Sequence, residues 1–336
     1  MNYEVAERTF ADRGKASNGD AVTHAVVANG AALLVMVADG VGSRPCDWLA
    51  SQTACRRAVE FANTAESFGA DPAGSLVRLA NEIDREISAT TGRGRGMMCA
   101  AAIALWPVGT DTACLANIGD TRIYRFADPV LRQVSEDDSQ AIIRRGPDGR
   151  PLLSGGAAVV QRGITNALGS GCARPEVQSV PFLPGEAIVL SSDGFYGISP
   201  DFEQDMVQLL CHGDLEDALA LVGQDYSQRN RDDASVAILR RRYRPLVDAE
   251  LACAVDRGEL GGCPRHAIAA AIADRLPGLI MAQDQTRCSA LLEYLDRNQV
   301  LLGKRRVEGL LSQMGAVKWA DRRSLGMLVA MLRQQS

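Results

Sequence analysis

Apolar residues run without interruption from 31 to 38, the stretch AALLVMVA, and stop at Asp39, which Gly40 and Gly42 follow closely. An apolar run of this length that does not alternate predicts a strand covered on both faces. Asp39 then stands where that strand surfaces. Further strands are predicted at 3–9 and 21–28, joined by the polar loop RGKASNGD at 13–20, and at 99–105, 112–118 and 121–126, punctuated by Pro107, Gly109, Gly119 and Asp120. The pattern resumes with AIVLS at 187–191, ends in Ser192, Asp193 and Gly194, and a final strand follows Asp232 and Asp233 in RNRDDASVAILRRR. Helices are predicted at 46–63, around Leu76, Leu79, Ile83 and Ile87, and at 202–211 and 214–226. Residues 137–170, rich in Gly, Arg and Pro, read as a long irregular insertion of the kind that carries function. Beyond 245, Ile268, Ile272, Leu276 and Ile280, and later Leu325, Leu328 and Leu332, recur at helical spacing. Gly261, Gly262, Pro277, Gly303 and Gly315 would divide this part into four or five short helices.

With 336 residues, 46% of them hydrophobic and 23% charged, the chain can bury one large core and a second smaller one. A net charge of -5 and a pI near 5.4 argue against nucleic acid as the main partner, and the basic run Arg240, Arg241, Arg242, Tyr243, Arg244 reads as a solvated linker. No stretch approaches the roughly 18 apolar residues of a membrane span, and the first residues lack an apolar signal core, so the expected location is the cytoplasm. Nine scattered cysteines, odd in number and without Cys-x-x-Cys spacing, read as buried thiols in a reducing compartment. Only three histidines are present, His24, His212 and His266, which disfavours a serine triad or a histidine-rich zinc site. Chemistry in this chain should run on carboxylates.

Their arrangement has a direction. Asp39 and Asp193 end strands, whereas Asp232 begins one, and in an antiparallel sheet that orientation brings both kinds of end to the same rim. Asp20, at the start of the strand that pairs towards Asp39, joins them. Converging carboxylates repel unless protons or cations neutralise them. Oxygen ligands with a glycine carbonyl select a hard cation such as Mg2+ or Mn2+, and paired ions of this kind activate water for displacement at phosphorus. The chemistry fits phosphomonoester hydrolysis.

The ordered motifs KASNGD (15–20), DGVG (39–42), GDTR (119–122), SDG (192–194) and DDAS (232–235) resemble those of the metal-dependent serine/threonine protein phosphatases of type 2C, over roughly residues 1–242. The resemblance implies an α+β fold, a four-layer α-β-β-α sandwich of two antiparallel sheets, followed here by an all-α appendage at 245–336. It implies two or three Mn2+ or Mg2+ ions: Asp39 bridging two of them, the Gly40 carbonyl on one, Asp193 and Asp232 on the other. Asp20 would support bound waters or ligate directly, and Asp120 would join Asp193 at a third ion. Asp39, Asp193 and Asp232 are thus the expected catalytic set. Lys15 falls where the family has a phosphate-binding Arg, with Arg13 as a nearby substitute, and the insertion after Asp137 corresponds to the family's flap. The implied substrate is a phosphoserine or phosphothreonine protein, with a cognate kinase opposing the reaction.

The chain departs from the family at several positions. Gly19 replaces a Glu or Gln, Lys15 loses the planar fork of Arg, Val41 stands where some relatives have a histidine, and Met97 and Met98 replace threonines. These departures leave a second reading open, a catalytically weak module that binds phosphoproteins or partners. The helical appendage could dock a substrate or partner, or cap the sandwich.

Overall fold

A computed structural model describes every residue except 1, 28–29, 65–70, 155–156, 159, 212–214, 258–262, 298–301, 303, 317–321 and 334–336. The chain opens with β1 (Tyr3–Phe10), β2 (Asp20–Val27) and β3 (Ala32–Gly40), continues through α1 (Asp47–Thr64) and α2 (Pro72–Ser88), and returns as β4 (Cys99–Pro107), β5 (Thr112–Ile118), β6 (Arg122–Ala127) and β7 (Val130–Gln133). The insertion carries β8 (Ser139–Ile143), β9 (Leu153–Ser154), β10 (Ala157–Ala158) and β11 (Val160–Ile164). Then come β12 (Glu176–Pro181), β13 (Ala187–Ser191), the one-turn α3 (Asp193–Tyr196), α4 (Phe202–Leu210), α5 (Leu215–Arg229) and β14 (Ala234–Arg241). The remainder is helical: α6 (Asp248–Arg257), α7 (Arg265–Met281), α8 (Gln285–Arg297), α9 (Lys304–Ala316) and α10 (Arg322–Arg333).

Two antiparallel five-stranded sheets, ordered β1-β14-β13-β6-β7 and β12-β5-β4-β3-β2, face one another. Helices α1 and α2 cover the second sheet, and α4 and α5 cover the first. This is the α-β-β-α sandwich that the motifs imply. The period of two along β3 explains why its apolar run does not alternate. Leu33, Val35 and Val37 enter the core between the sheets, while Leu34, Met36 and Ala38 enter the core beneath α1 and α2. The strand is buried on both faces, as its sequence predicts. Helix α2 starts where Asp71 accepts a hydrogen bond from the Gly74 N–H at 2.9 Å and Pro72 enters the first turn; Leu76, Leu79, Ile83 and Ile87 form its buried stripe. A separate apolar cluster, from Leu246 through Ile272 and Leu292 to Met331, gathers the C-terminal helices.

Some expectations require correction. Pro277 does not end a helix, because α7 continues to Met281. A proline there removes one hydrogen bond near the helix end, and the buried Leu276 and Ile280 on either side hold the last turn. The insertion is not wholly irregular, since β8 pairs with β11 over five residues. Asp193 begins a turn of helix rather than extending the strand. β7 and β12, short and weakly patterned, owe their form to pairing with β6 and β5. His212, Asp214, Gly261, Gly262 and Gly303 lie outside the described residues. All nine cysteines are free thiols, and five are buried, although Cys172 is exposed. Among the described residues no helix is long and apolar enough to cross a membrane.

Candidate active site

Register brings the first two carboxylates together. Asp20 on β2 is the direct partner of Asp39 on β3, and partners in an antiparallel pair present their side chains on one face. That face is the one carrying Leu33, Val35 and Val37, so both carboxylates project into the open end of the gap between the sheets. From the opposite sheet, β13 and α3 bring Asp193 to the same end, and the turn before β14 brings Asp232. The turn between β5 and β6 supplies Asp120. Asp39, Asp120, Asp193 and Asp232, with Lys15, Arg44 and Tyr196, line a single cleft of about 660 Å³, and Asp20 lies buried behind Asp39.

The electrostatics of this group are strained. Burial above all, and then the charges of Asp20, Asp193 and Asp120, hold Asp39 well above the usual carboxylate range. Burial likewise pushes Asp20 up to about 7, and raises Asp193, with Asp232 adding its repulsion. Both Asp20 oxygens are buried without a hydrogen-bond partner among the described residues. Ser192 and Ser235 stand near, but the Ser192 hydroxyl bonds to the Ser235 carbonyl at 3.4 Å and the Ser235 hydroxyl to Thr9 Oγ1 at 2.7 Å. A buried carboxylate without a donor, beside a second one raised by like charges, is the environment that a divalent cation relieves. Gly40 keeps the backbone close: a Cβ there would lie 2.4 Å from the Asp47 carbonyl oxygen and 2.6 Å from that of Gly19. The donor set therefore fits a hard cation. As they stand, no three Asp, Glu, His or Cys side chains among the described residues form a ready-made metal cage.

The two cationic candidates part company. Lys15 reaches the cleft, but its Nζ is held 3.1 Å from Asp232 and 2.7 Å from Asp233. Burial pulls its pKa down, the two carboxylates outweigh burial, and the ammonium stays charged above its ordinary range. Arg13 is not brought in; its guanidinium donates to the Ser227 carbonyl at 3.1 Å. Arg44, which the sequence reading missed, is exposed on the cleft wall and its side chain makes no hydrogen bond or ion pair with a described residue. Its place two residues beyond Gly42 was the available signal.

A second residue missed from the sequence is Asp233. Its buried carboxylate accepts from the Asp12 N–H at 2.8 Å, the Gly19 N–H at 2.8 Å and Lys15, and so ties the 12–19 loop to the start of β14. This hub accounts for Gly19. A Cβ at that position would meet Asp233 Oδ2 at 2.7 Å and Asp47 Oδ2 at 3.1 Å, so carboxylates fill the space that a Glu or Gln would need. Gly19→Gln, which restores the family's residue type, is expected to destabilise the fold by about 1–3 kcal/mol through overpacking. Denaturant unfolding checks this, and an unchanged midpoint would refute the steric account.

The insertion is anchored to the cleft. Asp138 Oδ2 accepts from the Gly119 N–H at 3.1 Å and from Asn166 at 2.7 Å, and the Asp138 carbonyl accepts from the Thr165 N–H at 2.8 Å, so both feet of the β8-β11 hairpin join the turn that carries Asp120. Beside it, Arg122 forks onto Asp137 and packs 4.0 Å from the centre of the Tyr196 ring. The Tyr196 hydroxyl donates to the Asp120 carbonyl at 3.0 Å. Asp84, buried in α2, accepts from the N–H groups of Gly169, Gly171 and Ala173 and fixes the segment that follows the hairpin.

Comparison with known proteins agrees with this geometry. The family profile described as Protein phosphatase 2C matches residues 10–235. A serine/threonine phosphatase, stp, of Listeria monocytogenes is 26% identical over 218 residues, which cover 62% of this chain and 84% of that protein. Among solved structures, a bacterial serine phosphatase superposes with a TM-score of 0.60 at 17% identity, covering 72% of this chain and 99% of its own. The Mycobacterium tuberculosis serine/threonine phosphatase PstP/Ppp does so with a TM-score of 0.56 at 19% identity, covering 72% and 100%. At these identities the structural likeness speaks for the fold, while the profile match spans most of the chain. The protein belongs to the protein phosphatase 2C family, the metal-dependent serine/threonine protein phosphatases.

Proposed function

We propose that this protein hydrolyses phosphoserine or phosphothreonine in protein substrates, using Mn2+ or Mg2+ held by Asp39, the Gly40 carbonyl, Asp193 and Asp232, with Asp20 and Asp120 in support. The observation that carries the reading is the pair of buried Asp20 and half-buried Asp39, side by side at the floor of a carboxylate-lined cleft, with no cationic partner on Asp20 among the described residues. When bound, such ions lower the pKa of water and offset charge on the phosphoryl oxygens. The chain's own groups do the rest. The backbone turn at Gly40 fixes Asp39 at the floor, and the Asp233 hub holds Asp232 and Lys15 at the wall. Arg44 supplies the uncommitted guanidinium suited to a phosphate oxygen, in place of Lys15, which Asp232 and Asp233 engage. The hairpin at 139–164 forms one side of the entrance through residues 163–166. A phosphoprotein substrate implies a kinase that makes it, and the C-terminal helices, with their own apolar cluster, are proposed as a separate domain at 245–336 that offers a surface for a protein partner.

The test is hydrolysis of a phosphothreonine peptide with Mn2+, with Mg2+ and with chelator. Turnover that requires the metal is the expected result. Arg44→Ala should raise KM about tenfold, the loss of one charge-assisted hydrogen bond, with a smaller effect on kcat. Absence of turnover despite measurable Mn2+ binding would leave the binding-module reading, which the engagement of Lys15 by two carboxylates favours.

A further inference from the structure

A second cavity, of about 260 Å³, lies between the end of β14 and α7, opposite the end that carries Asp232. Eight residues separate Asp232 from Arg240, so the two sites stand roughly 25 Å apart at about 3.3 Å per residue. The basic run that closes β14, which the sequence presents as a solvated linker, lines this cavity through Arg240, Arg242, Tyr243 and Arg244. Four guanidinium groups, those of Arg240, Arg242, Arg244 and Arg275, meet only two carboxylates, Glu4 and Asp274, in the wall. Glu4 serves two of them, accepting from Arg240 Nε at 2.7 Å and standing 3.2 Å from Arg242 Nε. Arg244 and Arg275 are paired with Glu250 and Asp248, which are not part of the wall. Arg240 and Arg242 thus share one carboxylate, and the guanidinium of Arg242 is left with donors to offer an anion in this half-open space.

His266 supplies an independent observation. It is 5% exposed and faces the same cavity, and neither ring nitrogen has a hydrogen-bond partner among the described residues. Burial, reinforced by the charge of Arg240, holds its pKa well below the usual histidine range. The ring is therefore neutral, with one N–H to donate. A buried donor of this kind needs an acceptor.

We infer that this cavity binds a small phosphate-class dianion, with the His266 N–H donating to one oxygen and the terminal nitrogens of Arg242, which carry no hydrogen bond to a described residue, clasping others. Ala267, Ala270 and Leu246 make the remaining wall apolar, so a short organic remainder fits beside the phosphate whereas a folded partner does not.

Histidine-selective NMR on the full chain tests this. There are three histidines, and the His266 ring signal is identified by its loss in His266→Gln. Titration with inorganic phosphate should shift that signal saturably, with a Kd on the order of 1 mM. Arg242→Gln should weaken the effect at least about tenfold, as expected for a lost charge-assisted contact. Asp39→Asn should leave it unchanged, which separates this site from the catalytic cleft. Acetate at equal concentration should have a much smaller effect. A signal that does not move would mean that water alone fills the cavity, and one that moves equally with acetate and phosphate would mean non-selective anion association; either result would overturn the proposal. In Arg242→Gln and Asp39→Asn, an unliganded His266 signal at the wild-type chemical shift reports that the fold is intact.

Discussion

Asp39→Asn is expected to lower kcat/KM for a phosphothreonine peptide by at least about 10³-fold, some 4 kcal/mol of transition-state stabilisation, while the metal-free protein becomes harder to unfold. The two effects share one cause. In the folded chain Asp39 is half-buried against Asp20 and within the field of Asp193 and Asp120, so desolvation and like charge hold its carboxyl well above the value it has when unfolded. A carboxyl with a raised folded pKa detracts from stability at every pH above its unfolded value, because folding must then either protonate it or bury its charge. An amide of the same shape removes that penalty and also the anionic oxygen that a divalent cation requires. The metal-free melting temperature should therefore rise as activity falls, and the stability gained from added Mn2+ should shrink. Asp225→Asn, on the exposed face of α5, should change neither quantity. Retained turnover in Asp39→Asn would remove the central carboxylate from the mechanism. A fall in both activity and metal-free stability would show that Asp39 holds the fold rather than strains it.

The sequence made Asp39 legible because strand, turn and carboxylate lie in one contiguous stretch. The apolar run at 31–38 predicts burial on both faces, and the position where it stops marks the rim of the sandwich. Asp193 and Asp232 were readable for the same reason, each sitting at a strand end whose direction could be inferred. Arg44 and Asp233 were not, because their roles depend on which side chains the fold has already engaged. The sequence marks Lys15 as a phosphate-ligand candidate but cannot show that Asp232 and Asp233 flank its ammonium. Gly19 looks like a loss of function until the crowding by Asp233 and Asp47 is seen. β12 escaped notice because EVQSVP has one buried residue, Val180, and takes its form from β5. Pro277 misled because the local rule about proline carries no knowledge of the tertiary contacts around Leu276 and Ile280.

Asp233→Ala should behave in the opposite sense to Asp39→Asn, with stability and activity falling together. The Asp233 side chain is 3% exposed, and its oxygens receive two backbone N–H groups and the Lys15 ammonium. Removing it orphans the donors at Asp12 and Gly19 and leaves Lys15 with only the more exposed Asp232. Each unsatisfied backbone donor costs about 1–3 kcal/mol, so a loss of roughly 2–6 kcal/mol is expected from the two of them, with the half-exposed Lys15 pair adding little. The backbone compounds the effect. A Cβ on Gly194 would lie 1.9 Å from the Asp233 carbonyl oxygen, so the turn before β14 and the first turn of α3 are in direct contact, and movement at 233 is transmitted to Asp193. Asp233→Asn keeps one acceptor oxygen and should fall between alanine and wild type. Denaturant unfolding and hydrogen exchange at the Asp12 and Gly19 amides provide the measurements. Faster exchange at both amides, together with a lower midpoint, is the expected outcome. Protection unchanged in Asp233→Ala would mean that the 12–19 loop is held by other contacts, and that Gly19 is small for a reason other than the space Asp233 occupies.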